Sequence, residues 1–431
     1  MVSTLIDYIS GIKMSESQNQ KTKTAFLILS LLSNLGLLFA FKYFNFFSGS
    51  VREILSLFSI PLSPLTLKVL LPVGISFYAF QSMSYTIDVY RGKINAQRHL
   101  GIFALYISFF PQLVAGPIER ATNLLPQFLK KQYFDYGRVI NGAKLMAWGF
   151  FKKVVIADNL AVVVNTIYNN VGDYTGIPLI LATVFFAFQI YCDFSGYSDI
   201  AIGSAKIMGI SLMDNFKRPY YSRSISEFWT RWHISLSSWF RDYLYIPLGG
   251  NRVSVPRWLL NLLVVFIISG LWHGASWTFV IWGALNGIYL IIEKLTKNLR
   301  DNMAERVGLN RVPKLYALIE IAITFILINL GWIFFRSNSI SDAFYILKHL
   351  FSNISLDLSK ISIGTGWSSL IIILSSIILM EIVHIIQENI GMRHFISNRP
   401  LLVRWSAYIL IIILILLFGA FNGTAFIYFQ F

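Results

Sequence analysis

Apolar residues along this chain come in long, nearly uncharged runs at 25–41, 69–87, 100–118, 174–192, 258–292, 315–335, 361–380 and 405–431, with polar residues gathered between them. Since about 20 apolar residues of helix cross a bilayer, the runs predict spanning or re-entrant segments, roughly nine crossings in all. They are too continuously apolar for the alternation of a membrane strand, and only helices and closed barrels satisfy their backbone in lipid. The expected architecture is an all-α, polytopic helical bundle forming a single domain over 1–431. Nothing resembles a cleavable signal, so the first run is expected to remain as an anchor.

One run is unusual. Residues 258–292 hold no Lys, Arg, Asp or Glu, and His273 near the middle is the readily titratable side chain there. The run is too long for one crossing and too short for two complete ones with a loop, so a break is expected near its centre. Gly270 and Gly274 flank Trp272-His273 at the spacing that lets backbones approach closely. Irregular backbone at membrane depth survives only against protein or a watered cavity, which predicts that His273 faces a cavity.

The composition agrees with a membrane protein, at 55% hydrophobic residues and a mean hydropathy of +0.61. The net charge of +15 follows membrane topology: Lys and Arg cluster at 13–23, 91–98, 120–153, 206–257, 294–314 and 393–404, whereas 158–176 has Asp158 and Asp173 and no base. Basic loops belong in the cytoplasm. The path alternates if 100–118, interrupted by Pro111 and ended by Gly116-Pro117, dips in and returns, and the C-terminus then lies outside. No aromatic-basic soluble module argues for nucleic acid.

The stretch 206–257 carries eight Lys/Arg against three Asp/Glu and many aromatics. Ser224-Ile225-Ser226-Glu227 fits a capping box, after which Phe228, Trp229, Trp232, Leu236, Trp239 and Phe240 recur at helical spacing. This predicts an amphipathic, cytoplasmic-side interfacial or re-entrant segment, with aromatics in the headgroup zone, turned back to the membrane by Pro247 and Gly249-Gly250. On it sit His233, Trp232 and Arg231. Arg231 and Arg241, with Lys217, Arg218 and Arg223, offer a landing surface for an anionic donor such as a nucleotide-bearing thioester.

Other candidate chemistry is sparse. A neutral imidazole can both accept and donate a proton near pH 7, and an ionisable group kept at membrane depth marks a pathway or site; of six histidines, His273 combines depth with helix breakage. Asp193 and Asp199, six apart, do not share a face as an i,i+4 pair would, and are expected to fix loops through hydroxyls and backbone amides. Cys192 reads as a small buried hydrophobe, the alternative being a transient acyl-thioester carrier. One cysteine allows no internal disulfide and no metal site of several thiolates. There is no Gly-rich phosphate loop, GxSxG elbow or HExxH pair.

Read in order, the strings at 71–77, 84–92, 108–118, 193–199, 228–251, 270–277 and 426–431 resemble the membrane-bound O-acyltransferase family, most closely the bacterial branch typified by the alginate O-acetylation membrane subunit. The resemblance is dense from about 66 to 291 and looser to the end. It implies a helical bundle pierced by a funnel, with His273 as the catalytic residue where donor and acceptor paths meet. His233 matches a second histidine of that branch. Members usually carry further hydrophobic helices ahead of the stretch matching Thr4 to Gly11, where this chain begins, so those helices are expected to be missing.

By resemblance, the expected activity is acetyl transfer from a cytoplasmic thioester, acetyl-CoA, across a bacterial inner membrane to hydroxyls of an exopolysaccharide or wall polymer. An extracytoplasmic partner of the SGNH-hydrolase type completes the transfer, and no tightly bound cofactor or metal is expected. His273 would be the base. His233 or Trp232 would orient the thioester, Arg231 and Arg241 would hold phosphates, and Trp272, Asp193 and Asp199 complete the candidate site. Two alternatives stay open: transfer of another acyl group, such as D-alanine from a carrier protein, and a transporter or flippase without chemistry.

Overall fold

The computed structural model describes residues 2–60, 63, 65–69, 72, 74–113, 116–354, 366–389, 399–421 and 426–427. Among these the regular structure is helical, with no strand. Among the described residues seven helices are long and apolar enough to cross a membrane: Gln20–Leu57, Ile177–Ile207, Val255–His273, Trp277–Leu295, Pro313–Arg336, Gly366–Gln387 and Leu401–Phe418. The 69–87 run yields the helix Ile75–Tyr90, and the 100–118 run yields Leu100–Ser108 and the single turn Phe110–Leu113. At 1.5 Å per residue these span about 24, 14 and 6 Å, short of a bilayer's roughly 30 Å core. Parts of the runs at 69–87, 100–118, 361–380 and 405–431, and His394, lie outside the described residues.

The 258–292 run corrects one expectation. It forms two helices of 19 residues each, Val255–His273 and Trp277–Leu295, joined by three residues. Each is about 28 Å long, enough to cross. They fit because the first borrows Val255-Pro256-Arg257 and the second runs on through Glu293-Lys294-Leu295, past the apolar limits. The glycines permit the tight turn: a Cβ on Gly270 would meet Phe279 O at 2.2 Å, and one on Gly274 would meet the Phe279 ring at 2.1 Å. Gly283 on the return helix faces Phe266 O in the same way, at 2.3 Å.

The basic stretch 120–153, read as a cytoplasmic loop, is largely helical. Tyr136–Phe150, the π-helical segment Phe151–Ala157 and Asp158–Tyr168 run on without a break, packed along Ile177–Ile207. Gly142 and Gly149 oppose Gly203 and Gly196, each so close that an added Cβ would lie 2.6–2.7 Å from a carbonyl across the seam. Lys152 and Lys153 hide this helix from a hydropathy reading, because a lysine inside counts against a span whatever its partner. Their partners are carboxylates, two buried and one half-buried: Lys152 Nζ lies 2.8 Å from the half-buried Asp199, and Lys153 Nζ 2.7 Å from both Asp158 and Asp193.

The core gathers around Ile177–Ile207, whose apolar stretch is 72% buried inside the protein, while Leu401–Phe418 has no buried residue and forms an outer wall. A polar knot at Asp7 ties three N-terminal helices together. Its carboxylate accepts from Ser30 at 2.6 Å, from Asn34 at 2.9 and 3.0 Å, and from Ser82.

The 206–257 stretch departs most from its prediction. Ser224 caps as expected, accepting from Glu227 N at 3.1 Å, but the helix is two seven-residue pieces, Ile225–Arg231 and Ile234–Phe240. His233, at φ +42° and ψ +53°, breaks it. Phe228, Trp232, Leu236, Trp239 and Phe240 are all buried in the protein core instead of standing on an outer face. The left-handed kink turns successive aromatics onto different core elements, which one straight helix could not do. Gly249 and Gly250, at φ +102° and +56°, then reverse the chain toward Val255.

Candidate active site

His273 is the last residue of its helix, and its carbonyl belongs to the group that a helix C-terminus leaves without intrahelical donors. Lys42 supplies them from the first span. Its Nζ donates to Trp272 O and His273 O, both at 2.9 Å, and the neighbouring Tyr43 hydroxyl donates to Leu271 O at 2.9 Å. Both side chains come from the π-helical turn Phe39–Tyr43; such a turn offsets the helix register and recurs at functional sites. A cation at a helix C-terminus also opposes the macrodipole favourably. Sequence reasoning missed Lys42, for which a single lysine at the end of an apolar run was the available signal.

Around the His273 ring stand Trp272, Trp282 and Phe335, with centroids at 5.0, 5.0 and 5.4 Å. The ring of His233 lies 6.4 Å away, though forty residues separate the two in sequence. Both histidines are buried, at 2% and 1% exposure. The kink at His233 brings it here: a non-glycine residue held left-handed is uncommon and clusters at functional sites. Asn215 fixes its orientation. His233 Nδ1–H donates to Asn215 Oδ1 at 3.1 Å, and the same oxygen accepts from Ser235 N at 3.2 Å and Ser235 Oγ at 2.9 Å. Asn215 Nδ2 in turn donates to Ser198 Oγ at 3.2 Å, anchoring the pair to the central helix. Because Asn215 Oδ1 can only accept, His233 carries its proton on Nδ1, an assignment that rests on this network.

The other predicted residues fall into two sets. Trp272 and Trp232 are brought in: Trp272 lies 6.0 Å from His233 and 5.2 Å from Phe77, and Trp232 packs 5.1 Å from Trp332. Arg231 instead pairs with Glu227 at 2.7 Å, one turn back, and Arg241 pairs with Asp242 at 2.8 Å on the exterior. Asp193 holds a distant segment through a backbone amide as expected, but both it and Asp199 are chiefly paired with lysines. The two aspartates sit on one continuous helix, held by Lys153 and Lys152, and Asp193 also accepts from Ile427 N at 2.8 Å. Of the motif at 426–431, only Phe426 and Ile427 are described; Phe426 lies 5.7 Å from Phe194, which in turn lies 4.6 Å from His233. Cys192 is buried, with Sγ 3.4 Å from Met380 Sδ.

Another of the six histidines, to which the sequence assigns no role, is also buried. His384, on Gly366–Asn389, is buried 3.2 Å from the Tyr191 hydroxyl and 3.4 Å from Glu381, which accepts from Tyr221 at 2.7 Å.

A cavity of about 330 Å³ opens between the broken helix and the two-helix turn. Its walls include Trp229, Ile234, Ser238, Arg241, Tyr245, Val265, Phe266 and Ser269. Neither histidine lines this mostly apolar slot with scattered hydroxyls; its nearest wall residues along the chain are Ile234, next to His233, and Ser269, one helical turn before His273.

The model of MBOAT, the membrane-bound O-acyltransferase family, matches residues 98–330, which include His233, His273, Trp232, Trp272, Arg231, Arg241, Asp193 and Asp199 but not Lys42. The chain belongs to the membrane-bound O-acyltransferase family. It is 42% identical over 362 residues to the probable alginate O-acetylase AlgI of Pseudomonas syringae pv. tomato, covering 83% of this chain and 67% of the relative. It is 38% identical over 373 residues to the peptidoglycan O-acetyltransferase of Helicobacter pylori, covering 80% and 68%. To the teichoic acid D-alanyltransferase of Streptococcus thermophilus it is 28% identical over 306 residues, covering 64% and 70%. The chain thus spans about two thirds of the length of the first two relatives. Family membership makes acyl transfer at a membrane, and not transport without chemistry, the class of its activity.

Proposed function

We propose that this protein takes an acetyl group from acetyl-CoA on the cytoplasmic face and delivers it toward hydroxyls of an extracellular or cell-wall polysaccharide. The observation that carries the reading is the pair of buried imidazoles, His273 at a helix break and His233 at a left-handed kink, with centroids 6.4 Å apart. A neutral His273 removes the proton of the acceptor hydroxyl as its oxygen attacks the thioester carbonyl. The C–S bond breaks, and the imidazolium returns that proton to the departing thiolate, so an ester and a free thiol result. A general base contributes about 10²–10⁴-fold. His233, its tautomer held by Asn215, orients the thioester within the dry aromatic box, which keeps water from hydrolysing it. The names of the relatives favour acetyl over D-alanyl: identity is 38–42% to the O-acetyl enzymes and 28–29% to the D-alanyl ones.

The remaining parts of the proposal follow the charge pattern and the family resemblance. The basic loops face the cytoplasm of a bacterial inner membrane and the C-terminus faces outward, where an SGNH-type partner completes the transfer to polymer. A funnel from outside and the donor slot meet at His273.

The experiment is His273→Ala in a cell that makes the acceptor polymer, with membrane insertion checked by fractionation. Loss of polymer acetylation is expected, and retained acetylation would refute the base assignment. Purified protein offered labelled acetyl-CoA or an aminoacylated carrier protein separates the two donors.

A further inference from the structure

Three cations surround one phenol, Tyr243, next to residues that line the cavity. The guanidinium carbons of Arg120 and Arg91 lie 5.0 and 5.4 Å from the Tyr243 ring centroid, and Lys93 Nζ lies 5.9 Å from it. They come from separate places: Arg91 and Lys93 follow the helix Ile75–Tyr90, and Arg120 precedes Ala121–Phe128. Tyr243 itself sits in the π-helical turn Arg241–Tyr245, the register shift that presents its ring between them. A fourth cation, Arg241, begins the same turn and is 63% exposed.

The counter-charge does not balance this cluster. Tyr243 donates to Asp88 at 2.7 Å, and Lys93 lies 3.4 Å from the same carboxylate. Asp242 meets Arg241 at 2.8 Å and Arg120 at 3.8 Å, and its backbone carbonyl accepts from Arg91 at 3.1 Å. Glu119, beside Arg120 and within reach of its charge, accepts from Asn123 and Met213 N, and burial raises its carboxyl above the ordinary value. Four cations therefore face three carboxylates, and one of these, Glu119, spends its oxygens on Asn123 and Met213 N. Holding such a surplus together is unfavourable unless an anion joins it, and arginines pre-oriented on an aromatic plate suit the planar, two-pronged recognition of phosphate.

The cluster is continuous with the cavity. Arg120 Nη2 donates to Ser238 Oγ at 3.4 Å, and Ser238, Arg241 and Tyr245 all line the cavity wall. We propose that Arg91, Lys93 and Arg120 around Tyr243 form the phosphate seat for the nucleotide end of the thioester donor, whose slender pantetheine arm enters the slot toward Ser269. The identity of the ligand rests on the acetyl-CoA reading; the seat as an anion site does not.

Calorimetric titration of the full chain in zwitterionic nanodiscs with coenzyme A, and with pantetheine, which has no phosphate, tests it. Arg120→Gln and Lys93→Gln are each expected to weaken coenzyme A roughly tenfold, as for loss of one charge-assisted contact, and to leave pantetheine unchanged. Equal losses for both ligands would mean a structural role, and unchanged coenzyme A affinity or no binding by the unaltered protein would also overturn the seat. Repeating the titration with phosphatidylglycerol separates the donor from a lipid headgroup: competition by that lipid, relieved in the variants, would assign the seat to lipid and overturn the donor role. His273→Ala should bind coenzyme A normally. If it does and the unaltered protein still transfers no acetyl, the seat stands and the transfer reading falls.

Discussion

Replacing Lys42 by Met would test whether the clamp on the end of the His273 helix positions the base. The ammonium makes two hydrogen bonds of 2.9 Å to consecutive carbonyls, and bonds from a charged donor are worth about 1.5–3 kcal/mol each. Met fills a similar volume without donors, so both carbonyls lose their partner in a buried setting and the favourable cation at the helix end is lost as well. The loss amounts to about 3–6 kcal/mol, before any water enters to offset it. It falls on the three-residue turn after His273 and not on the core as a whole. A shift of about 1 Å in a catalytic group costs on the order of 10²-fold, so kcat for acetyl transfer should drop about a hundredfold with KM for acetyl-CoA little changed. Tyr43→Phe removes one neutral bond of about 1 kcal/mol and should cost less than tenfold; Lys42→Arg, which keeps a cation, should recover part of the loss. The assay is transfer of labelled acetyl in nanodiscs, with thermal unfolding run alongside. A Lys42→Met enzyme within threefold of the original kcat would refute the positioning argument.

Other consequences can be checked as simply. Asn215→Leu removes the acceptor that holds the His233 proton on Nδ1, so kcat should fall at least tenfold while melting temperature moves by a few degrees; an unchanged rate would remove His233 from the mechanism. Lys153→Met leaves Asp158 and Asp193 without their shared cation and should destabilise by about 3–5 kcal/mol, read as lost yield or melting temperature, with Asp193→Asn added in the same chain restoring part of it. Gly270→Val forces a side chain against Phe279 O, where even a Cβ would sit at 2.2 Å; the two-helix turn should open, seen as lost activity and a destabilisation of at least the roughly 1–3 kcal/mol of ordinary overpacking, read in thermal unfolding. Cys192→Ala should keep most activity, because the thiol is buried against Met380; abolished transfer with intact folding would revive an acyl-thioester carrier.

Much of the site was legible because its signals are local. The unbroken apolar run around His273, the glycines at 270 and 274 and the expected break all turn up in the Gly274-Ala275-Ser276 connection, since an imidazole and small residues amid so many apolar neighbours can be read without knowing the fold. The length argument about the same run failed, because helix ends extend into polar residues that a hydropathy count excludes. His233 shows a different limit. Helical periodicity averages over a whole segment, so it placed 228–240 on one straight amphipathic helix, and a single residue's change of φ leaves no periodic trace.

The sequence by itself determined that this is a helical membrane protein, where most of its long helices lie, which histidine ends at a break, and the family it belongs to. Those properties depend on hydropathy, short-range spacing and ordered motifs, which are carried by neighbouring residues. Only the tertiary structure decided which partners meet: Lys42 with the carbonyl of His273, 231 positions away; Lys152 and Lys153 with Asp199 and Asp193; His233 with His273; and three cations from two distant turns with Tyr243. A polar group in a low-dielectric interior must find a partner somewhere, but the identity of that partner depends on long-range packing, which no local pattern along the chain encodes.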